Sequence, residues 1–134
     1  MDKNYKPLLQ ESSVAAYYDT VNNWFYLSWF GEQRLKARMQ AFDQVLDYFK
    51  VAQCTKILND NSRNTTTWAD CALWLTTDWL PRAEQNGLRT MAWVYASDPA
   101  VRKSAEEMLS RLKSKIIIIP FDQLEDAEAW LHSV

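Results

Sequence analysis

The fold is decided by a stretch near the C-terminus, residues 115–122, which has the sequence KIIIIPFD and continues directly into residues 123–131, QLEDAEAWL. Four isoleucines in a row are too few to cross a membrane, and in an extended segment they place apolar side chains on both faces. Such a segment is typical of a strand that helices cover on both sides. We therefore predict an α/β domain that ends in a strand and a short helix.

The chain has 134 residues, which is enough for one domain with its own hydrophobic core, and no second domain is expected. We divide it into a polar N-terminal leader, residues 1–13, and a single domain, residues 14–134. A formal net charge of −2 without a clustered basic patch disfavours nucleic acid and anionic membranes as partners. No stretch is long and apolar enough to predict a transmembrane segment.

The residues that usually carry catalysis are sparse. Cys54 and Cys71 lack metal-type spacing, and His132, the one histidine, lies two residues from the C-terminus. Two glycines are too few for a phosphate-binding loop. We predict no metal, no cofactor and no catalytic set, and we interpret both cysteines as packing residues. The first ten residues lack the apolar core of a signal peptide, so a cytoplasmic location is expected.

The order of predicted elements is β-β-α-β-α-β-α-β-α. Residues 14–19 and 24–30 are rich in β-branched and aromatic residues and flank a pair of asparagines, which predicts a β-hairpin. Both faces of its second strand are largely apolar, so both are expected to be covered. Helices follow each later strand, which indicates parallel pairing. We predict a five-stranded, mostly parallel sheet with an N-terminal antiparallel hairpin, flanked by four helices.

Several local patterns predict where helices begin, bend and face solvent. Residues 32–51 carry apolar residues three and four apart, and Arg38 falls outside this stripe, so a solvated Arg38 is expected. Asp98 and Asp122 are predicted N-caps. Pro81 predicts either a kink near Thr77 or a restart of the helix with Asp78 as a second cap, because proline removes a helical hydrogen bond.

Four short motifs, taken in chain order, resemble the SpoIIAA-like group of STAS-type domains, which includes small stand-alone bacterial members. The resemblance covers roughly residues 14–131. The motifs are Trp29-Phe30-Gly31, Ile57-Leu58-Asn59-Asp60, Asp78-Trp79-Leu80-Pro81 with Gly87, and the segment 121–131. The resemblance implies the α/β fold predicted above and a role in regulation rather than catalysis.

Anti-sigma-factor antagonists of this family carry an Asp-Ser-Ser/Thr-Gly motif after the third strand, where a partner kinase phosphorylates a hydroxyl. The matching stretch is Asp60-Asn61-Ser62-Arg63, which departs from the motif at Asn61 and Arg63. The resemblance thus implies a candidate interaction or phosphoacceptor loop of Asn59, Asp60, Ser62 and Arg63, with Ser62 as acceptor. An ordinary polar connection through residues 61–66 is the alternative.

Three functions follow as hypotheses. The first is a non-enzymatic regulatory or protein-interaction module with a kinase or an anti-sigma-like partner. The second is a carrier or sensor of a small apolar ligand, because the fold is also similar to CRAL-TRIO lipid-binding domains. The third is a hydrolase that uses Asp60 with water, since Asp60 follows a predicted strand.

The seven tryptophans fit either a ligand pocket or a filled core. The candidate apolar pocket consists of Trp24, Trp29, Trp68 and Trp79. A homodimer is a further prediction, with Trp74 as candidate anchor, because Trp74 lies off the apolar stripe of its predicted helix.

Overall fold

The computed structural model describes residues 4–134 and shows a mixed sheet of six strands. The strands lie side by side in chain order. The first three pair antiparallel, and the third to the sixth pair parallel. The strands are β1 Tyr5–Gln10, β2 Val14–Asp19, β3 Trp24–Gly31, β4 Lys56–Asn64, β5 Thr90–Val94 and β6 Ile117–Phe121. The α/β class and the antiparallel hairpin, β2 with β3, are confirmed.

Four helical segments accompany the sheet. The second of them is continuous but changes its winding, because α2 passes into a π-helical turn and then into α3. The helices are α1 Leu35–Ala52, α2 Ala72–Trp74, the π-helical turn Leu75–Trp79, α3 Leu80–Gln85, α4 Pro99–Ser110 and α5 Leu124–Ser133.

The prediction of five strands was wrong because β1 lies inside the segment predicted as a polar leader. β1 pairs antiparallel with β2, and its register shifts between Pro7 and Leu9. Proline is tolerated in an edge strand and at irregular positions, where its missing N–H costs no ladder hydrogen bond. The strand is formed by pairing with β2 more than by its own propensity. The rest of the predicted leader, residues 1–3, lies outside the described residues.

One face of the sheet, which we call the helix face, is covered by the first three helical segments. Phe25 of β3 contacts Phe49 of α1 with ring centroids 5.2 Å apart. Trp68, which precedes α2, contacts Trp93 of β5 at 5.3 Å, and its backbone N–H donates to Ser104 Oγ of α4. Right-handed crossovers between neighbouring strands in chain order place their helices on one face.

On the opposite face, α5 is the one helix among residues 4–134 that packs against the sheet. Its His132 ring lies 4.9 Å from that of Trp24, and Trp130 lies 5.8 Å from Phe121. α5 contacts β4, β5 and β6. Within the described residues, no helix covers this face over β1, β2 and most of β3. The expectation that both faces of β3 are covered was therefore wrong, and Tyr26 and Phe30 are only half-buried.

The isoleucine strand β6 lies at the edge of the sheet, so the prediction that helices cover both its faces was wrong. Ile117 is 55% exposed and Ile119 is 37% exposed. Sequential strand order leaves the last parallel strand at the edge, and α5 does not shield it fully. Pro120 suits this position because an edge strand needs no outward N–H.

The strand predicted at residues 56–60 continues to Asn64, so the predicted polar loop at residues 61–66 was wrong over most of its length. Pairing with β3 extends to Gly31 and Asn64. Polar residues form a strand here because β3 supplies a backbone ladder and the helix face supplies buried hydrogen-bond partners.

The predictions of helix starts met different outcomes. Asp98 caps α4 as predicted, because its carboxylate accepts from two first-turn N–H groups at 2.9 and 3.2 Å. Asp122 does not cap α5, which follows Gln123 without a side-chain cap; Asp122 pairs with Arg102 instead. The helix does not restart at Asp78, since the π-helical turn carries it forward to Pro81.

Candidate functional site

Three tyrosines lie side by side on the uncovered face. Tyr5 of β1, Tyr17 of β2 and Tyr26 of β3 have ring centroids 5.5 to 6.2 Å apart. All three are half-buried, so part of each ring remains open to solvent. With Phe30 and Arg63, which lie further along the same face, they form what we call the tyrosine face.

A notch of about 430 Å³ lies in the tyrosine face. Its floor includes Ala15 and Ser28, which are directly paired across β2 and β3. Tyr26 and Phe30 flank Ser28 along β3 and form the walls, because residues two apart in a strand point to the same side. Small side chains between aromatic ones make the surface hollow. The volume falls in the range of small-molecule pockets.

Asp60 lies beneath this surface and is engaged in two hydrogen bonds. Tyr26 donates its hydroxyl to Asp60 Oδ2 at 2.7 Å, and the backbone N–H of Ser62 donates to Oδ1 at 3.0 Å. Burial, together with the charge of Asp60 and this hydrogen bond, raises the pKa of the Tyr26 hydroxyl well above its ordinary value. Asp60 is only 5% exposed, so it orients Tyr26 rather than facing solvent.

A β-bulge in β4 decides where Arg63 points. Ser28 pairs with Asp60, and Phe30 pairs with Arg63. Two steps along β3 therefore correspond to three steps along β4. The extra residue in β4 moves Arg63 to the same face as Phe30. The guanidinium carbon of Arg63 lies 5.1 Å from the centre of the Phe30 ring, and Nη2 donates to Ser28 Oγ at 3.4 Å.

Comparison of the chain with protein-family models, with curated proteins and with solved structures finds no match. The STAS-type resemblance therefore stays a prediction carried by sequence motifs. The tyrosine face combines partly exposed aromatic rings, a notch and a guanidinium on one surface.

The structure separates the four residues of the predicted interaction loop between two faces. Arg63 belongs to the tyrosine face, Asp60 lies beneath it, and Ser62 is half-buried between this face and the carboxyl ends of β4 and β5. Asn59 points to the helix face, where its Oδ1 accepts from Trp29 Nε1 at 2.7 Å. Asn59 is fully buried, so its contacts are structural.

The four tryptophans of the predicted apolar pocket are all fully buried, and the structure brings three of them together. Trp29 and Trp79 lie 5.0 and 4.9 Å from Phe42, and Trp68 lies 5.5 Å from Trp29. Rings at these separations are in direct contact, so they occupy the space between them. Trp24 lies on the opposite face, against α5.

The predicted dimer anchor, Trp74, is half-buried rather than projecting from the surface. Its ring lies 6.2 Å from Phe42, and the guanidinium carbon of Arg82 lies 5.9 Å from its centre. The neighbouring Leu73 is 76% exposed. The homodimer stays a prediction.

No group of three or more His, Cys, Asp or Glu residues in the described chain is arranged to hold a metal ion. Cys54 and Cys71 are free and buried. Burial raises the pKa of both thiols, that of Cys71 to about 11. Among residues 4–134, no helix has the length and apolar character that a membrane crossing requires.

Sequence reasoning missed Tyr5, Tyr17, Tyr26 and Phe30 as site residues. Tyr26 and Phe30 alternate along β3 with residues of the helix face, which was visible in the sequence. That alternation does not reveal whether a helix covers the second face. The signal that indicates the site is a row of tyrosines on three consecutive strands. Recognising this row requires β1, which was not predicted as a strand.

Proposed function

We propose that this chain is a non-enzymatic regulatory or protein-interaction module that binds its partner through the tyrosine face. One observation carries the proposal: three stacked tyrosines, a phenylalanine and an arginine share a sheet face that α5 leaves uncovered. Tyrosine, phenylalanine and arginine are enriched at protein interfaces, and tyrosine and arginine are enriched among the residues that dominate binding energy.

The side chains of the tyrosine face are also held in place by their neighbours, which favours binding. Its side chains stand on four paired strands, and neighbouring rings support one another. The Tyr26 hydroxyl is held by Asp60. A surface that is already ordered loses little conformational entropy when a partner binds.

The STAS-type resemblance adds a regulatory hypothesis to the same face. Ser62, the residue in the phosphoacceptor position, lies two residues after Asp60 and directly before Arg63. A phosphate on Ser62 would place negative charge beside the tyrosine face and would change its affinity for a charged partner. We therefore propose a cytoplasmic kinase or an anti-sigma-like protein as the partner class.

Photo-crosslinking from one residue of the tyrosine face tests the proposal. A photoreactive phenylalanine analogue replaces Tyr17 in one variant and Thr77, which is exposed on the helix side, in the matched control. After irradiation in cells of the native host, we expect a specific protein adduct from position 17 and none from position 77. Mass spectrometry then identifies the adduct.

An adduct of the same protein from both positions, or from position 77 alone, would contradict the proposal. Absence of any adduct from position 17 and from a second position on the face, Phe30, would contradict it as well. Circular dichroism spectra must match those of the wild type, so that a folding defect is not taken for lost binding.

The notch supports a second candidate function, a carrier or sensor of a small ligand. Its volume of about 430 Å³ and its aromatic walls suit a small molecule with apolar surface. Native mass spectrometry of freshly purified protein should then show added mass, which Ser28→Phe, a variant that fills the notch, should remove. If every preparation shows only the mass of the polypeptide, with no added mass, this candidate function is wrong.

A further inference from the structure

We infer that Arg63 is an anion-binding residue that receives an acidic side chain, an aspartate or glutamate, from the partner protein at the notch. The inference rests on the proposed function, because it names the chemistry that the partner presents to the tyrosine face. It goes further by assigning one residue and one charge to the contact.

The bulge in β4 is the first support. Without an extra residue between Asp60 and Arg63, strict alternation would turn Arg63 towards the helix face, which is lined here by Asn61 and Trp68. Bulges occur frequently beside functional sites, where they redirect a side chain. After the bulge, Asn64 occupies the helix face instead and donates to Asn61 Oδ1 at 3.0 Å. The irregularity thus delivers a cation to the tyrosine face and an amide to the core.

The unused bonding capacity of Arg63 is the second support. A guanidinium has five N–H donors, and the structure gives Arg63 one long hydrogen bond, to Ser28. Within residues 4–134, no carboxylate lies within 4.0 Å of the Arg63 guanidinium nitrogens. Arg82 and Arg102, in contrast, each pair with two carboxylates. Stacking on Phe30 holds the guanidinium while its edge stays available for a carboxylate.

Nearby acids decide which anion suits the notch. Asp60 has both oxygens engaged and is almost buried, so it does not neutralise Arg63 by direct contact. Glu11 lies at the rim of the notch. The carboxylates of Asp60 and Glu11 repel the dianion of a phosphate more strongly than a singly charged carboxylate. Of the two anions, the carboxylate is therefore favoured beside Arg63. The aromatic walls suit an acidic side chain flanked by apolar residues.

Capped tripeptides serve as probes of this chemistry, and the readout is the amide NMR spectrum of the ¹⁵N-labelled full chain. The peptides are Phe-Glu-Phe, its neutral isostere Phe-Gln-Phe, and Phe-phosphoserine-Phe. We expect the glutamate peptide to shift the signals of Ser28, Phe30 and Arg63 and to bind about tenfold more tightly than the glutamine peptide, a difference of about 1.4 kcal/mol.

Variants separate the role of Arg63 from general effects of charge. Arg63→Gln should abolish the preference for glutamate, while Arg63→Lys should keep part of it, because a lysine retains the charge but not the planar fork. The matched control is Arg89→Gln, which removes an exposed arginine before β5 and should leave the preference unchanged.

Equal binding of the glutamate and glutamine peptides at the notch would overturn the inference and leave the proposed function standing. Tighter binding of the phosphoserine peptide would overturn the choice of carboxylate. A preference for glutamate that survives Arg63→Gln would move the anion site elsewhere. Failure of the proposed function is read separately, from the crosslinking at Tyr17.

Discussion

Arg38 is a buried cation whose hydrogen bonds join α1 to the segment that follows β4. It is 1% exposed, although the sequence pattern of α1 predicted a solvated position, and that prediction was wrong. Its Nη1 donates to the Thr67 carbonyl at 2.9 Å and its Nη2 to Gln33 Oε1 at 2.8 Å. Its guanidinium carbon lies 4.1 Å from the centre of the Trp68 ring. The residues that accept its hydrogen bonds come largely from the segment after β4, about thirty positions away, so no local pattern in α1 reveals them.

Replacing Arg38 should destabilise the protein strongly. Arg38→Met leaves the buried Gln33 Oε1 and the part-buried backbone carbonyls of Thr66 and Thr67 without their donor, and a buried unsatisfied group costs about 1–3 kcal/mol. We expect the free energy of unfolding, measured by urea denaturation, to fall by about 2–4 kcal/mol. The control Arg34→Met, at an exposed position, should change it by less than about 0.5 kcal/mol. A loss no larger than that of the control would show that these bonds contribute little.

The Tyr26 hydroxyl predicts a dependence of stability on alkaline pH. Burial and Asp60 raise its pKa in the folded state, whereas an unfolded tyrosine ionises near pH 10. The stabilisation from this group is therefore complete below about pH 10 and is lost as the pH rises further. Tyr26→Phe should show a shallower fall in the free energy of unfolding between pH 9 and pH 11. Asp60→Asn should lie between the two, because burial remains. Parallel curves for all three proteins would refute this account of Tyr26.

At the scale of elements, the sequence predicted what depends on local pattern. The hairpin, α1, the cap at Asp98 and the alternation along β3 are local signals, and the structure has them. β1 and the second half of β4 were not predictable in the same way, because their polar residues become strands through pairing with a neighbour. The bulge that redirects Arg63 likewise arises from the register between two strands and has no signature within either one.

The edge strand β6 carries a device against self-association. The N–H of Ile117 and the carbonyl of Phe121 bond inward to the region of β5, so Ile118 and Pro120 direct their backbone groups outward. Pro120 offers no N–H there, which blocks one step of an intermolecular ladder. Pro120→Val should raise the rate of self-association, measured by light scattering at matched concentration, since Ile117 and Ile119 are exposed beside it.

A control variant distinguishes edge pairing from general loss of stability. Adding Ile117→Lys to Pro120→Val should suppress the association, because a charged residue on an edge strand opposes pairing. If the double variant associates as fast as the single one, the edge is not the surface responsible.

At the scale of the whole molecule, the uncovered face follows from topology. Neighbouring strands connected in chain order place α1 to α4 on the helix face, and α5 alone returns to the other face, over β4 to β6. The α/β class and most of the elements could be anticipated from sequence, but β1 could not. The strand order could not, because it depends on which strands pair over long distances, and the location of the tyrosine face depends on that order.

The packed tryptophans predict a low accessibility of the core to solutes. Five of the seven are at most 1% exposed, and Trp74 and Trp130 are half-buried. We expect acrylamide to quench only a minor part of the tryptophan fluorescence. The double variant Trp74→Phe, Trp130→Phe should lose most of this quenchable fluorescence. Strong quenching that persists in the double variant would show that the core around Phe42 is open.

The affinity of the crosslinked partner for variants of the tyrosine face tests the central claim most directly. With the purified partner, isothermal calorimetry compares the wild type with Tyr17→Ala, Phe30→Ala and the helix-side control Thr77→Ala. The tyrosine face predicts a dissociation constant at least about tenfold higher for the first two variants and unchanged for the control. Unchanged affinity in Tyr17→Ala and Phe30→Ala, with folding intact by circular dichroism, would contradict the account.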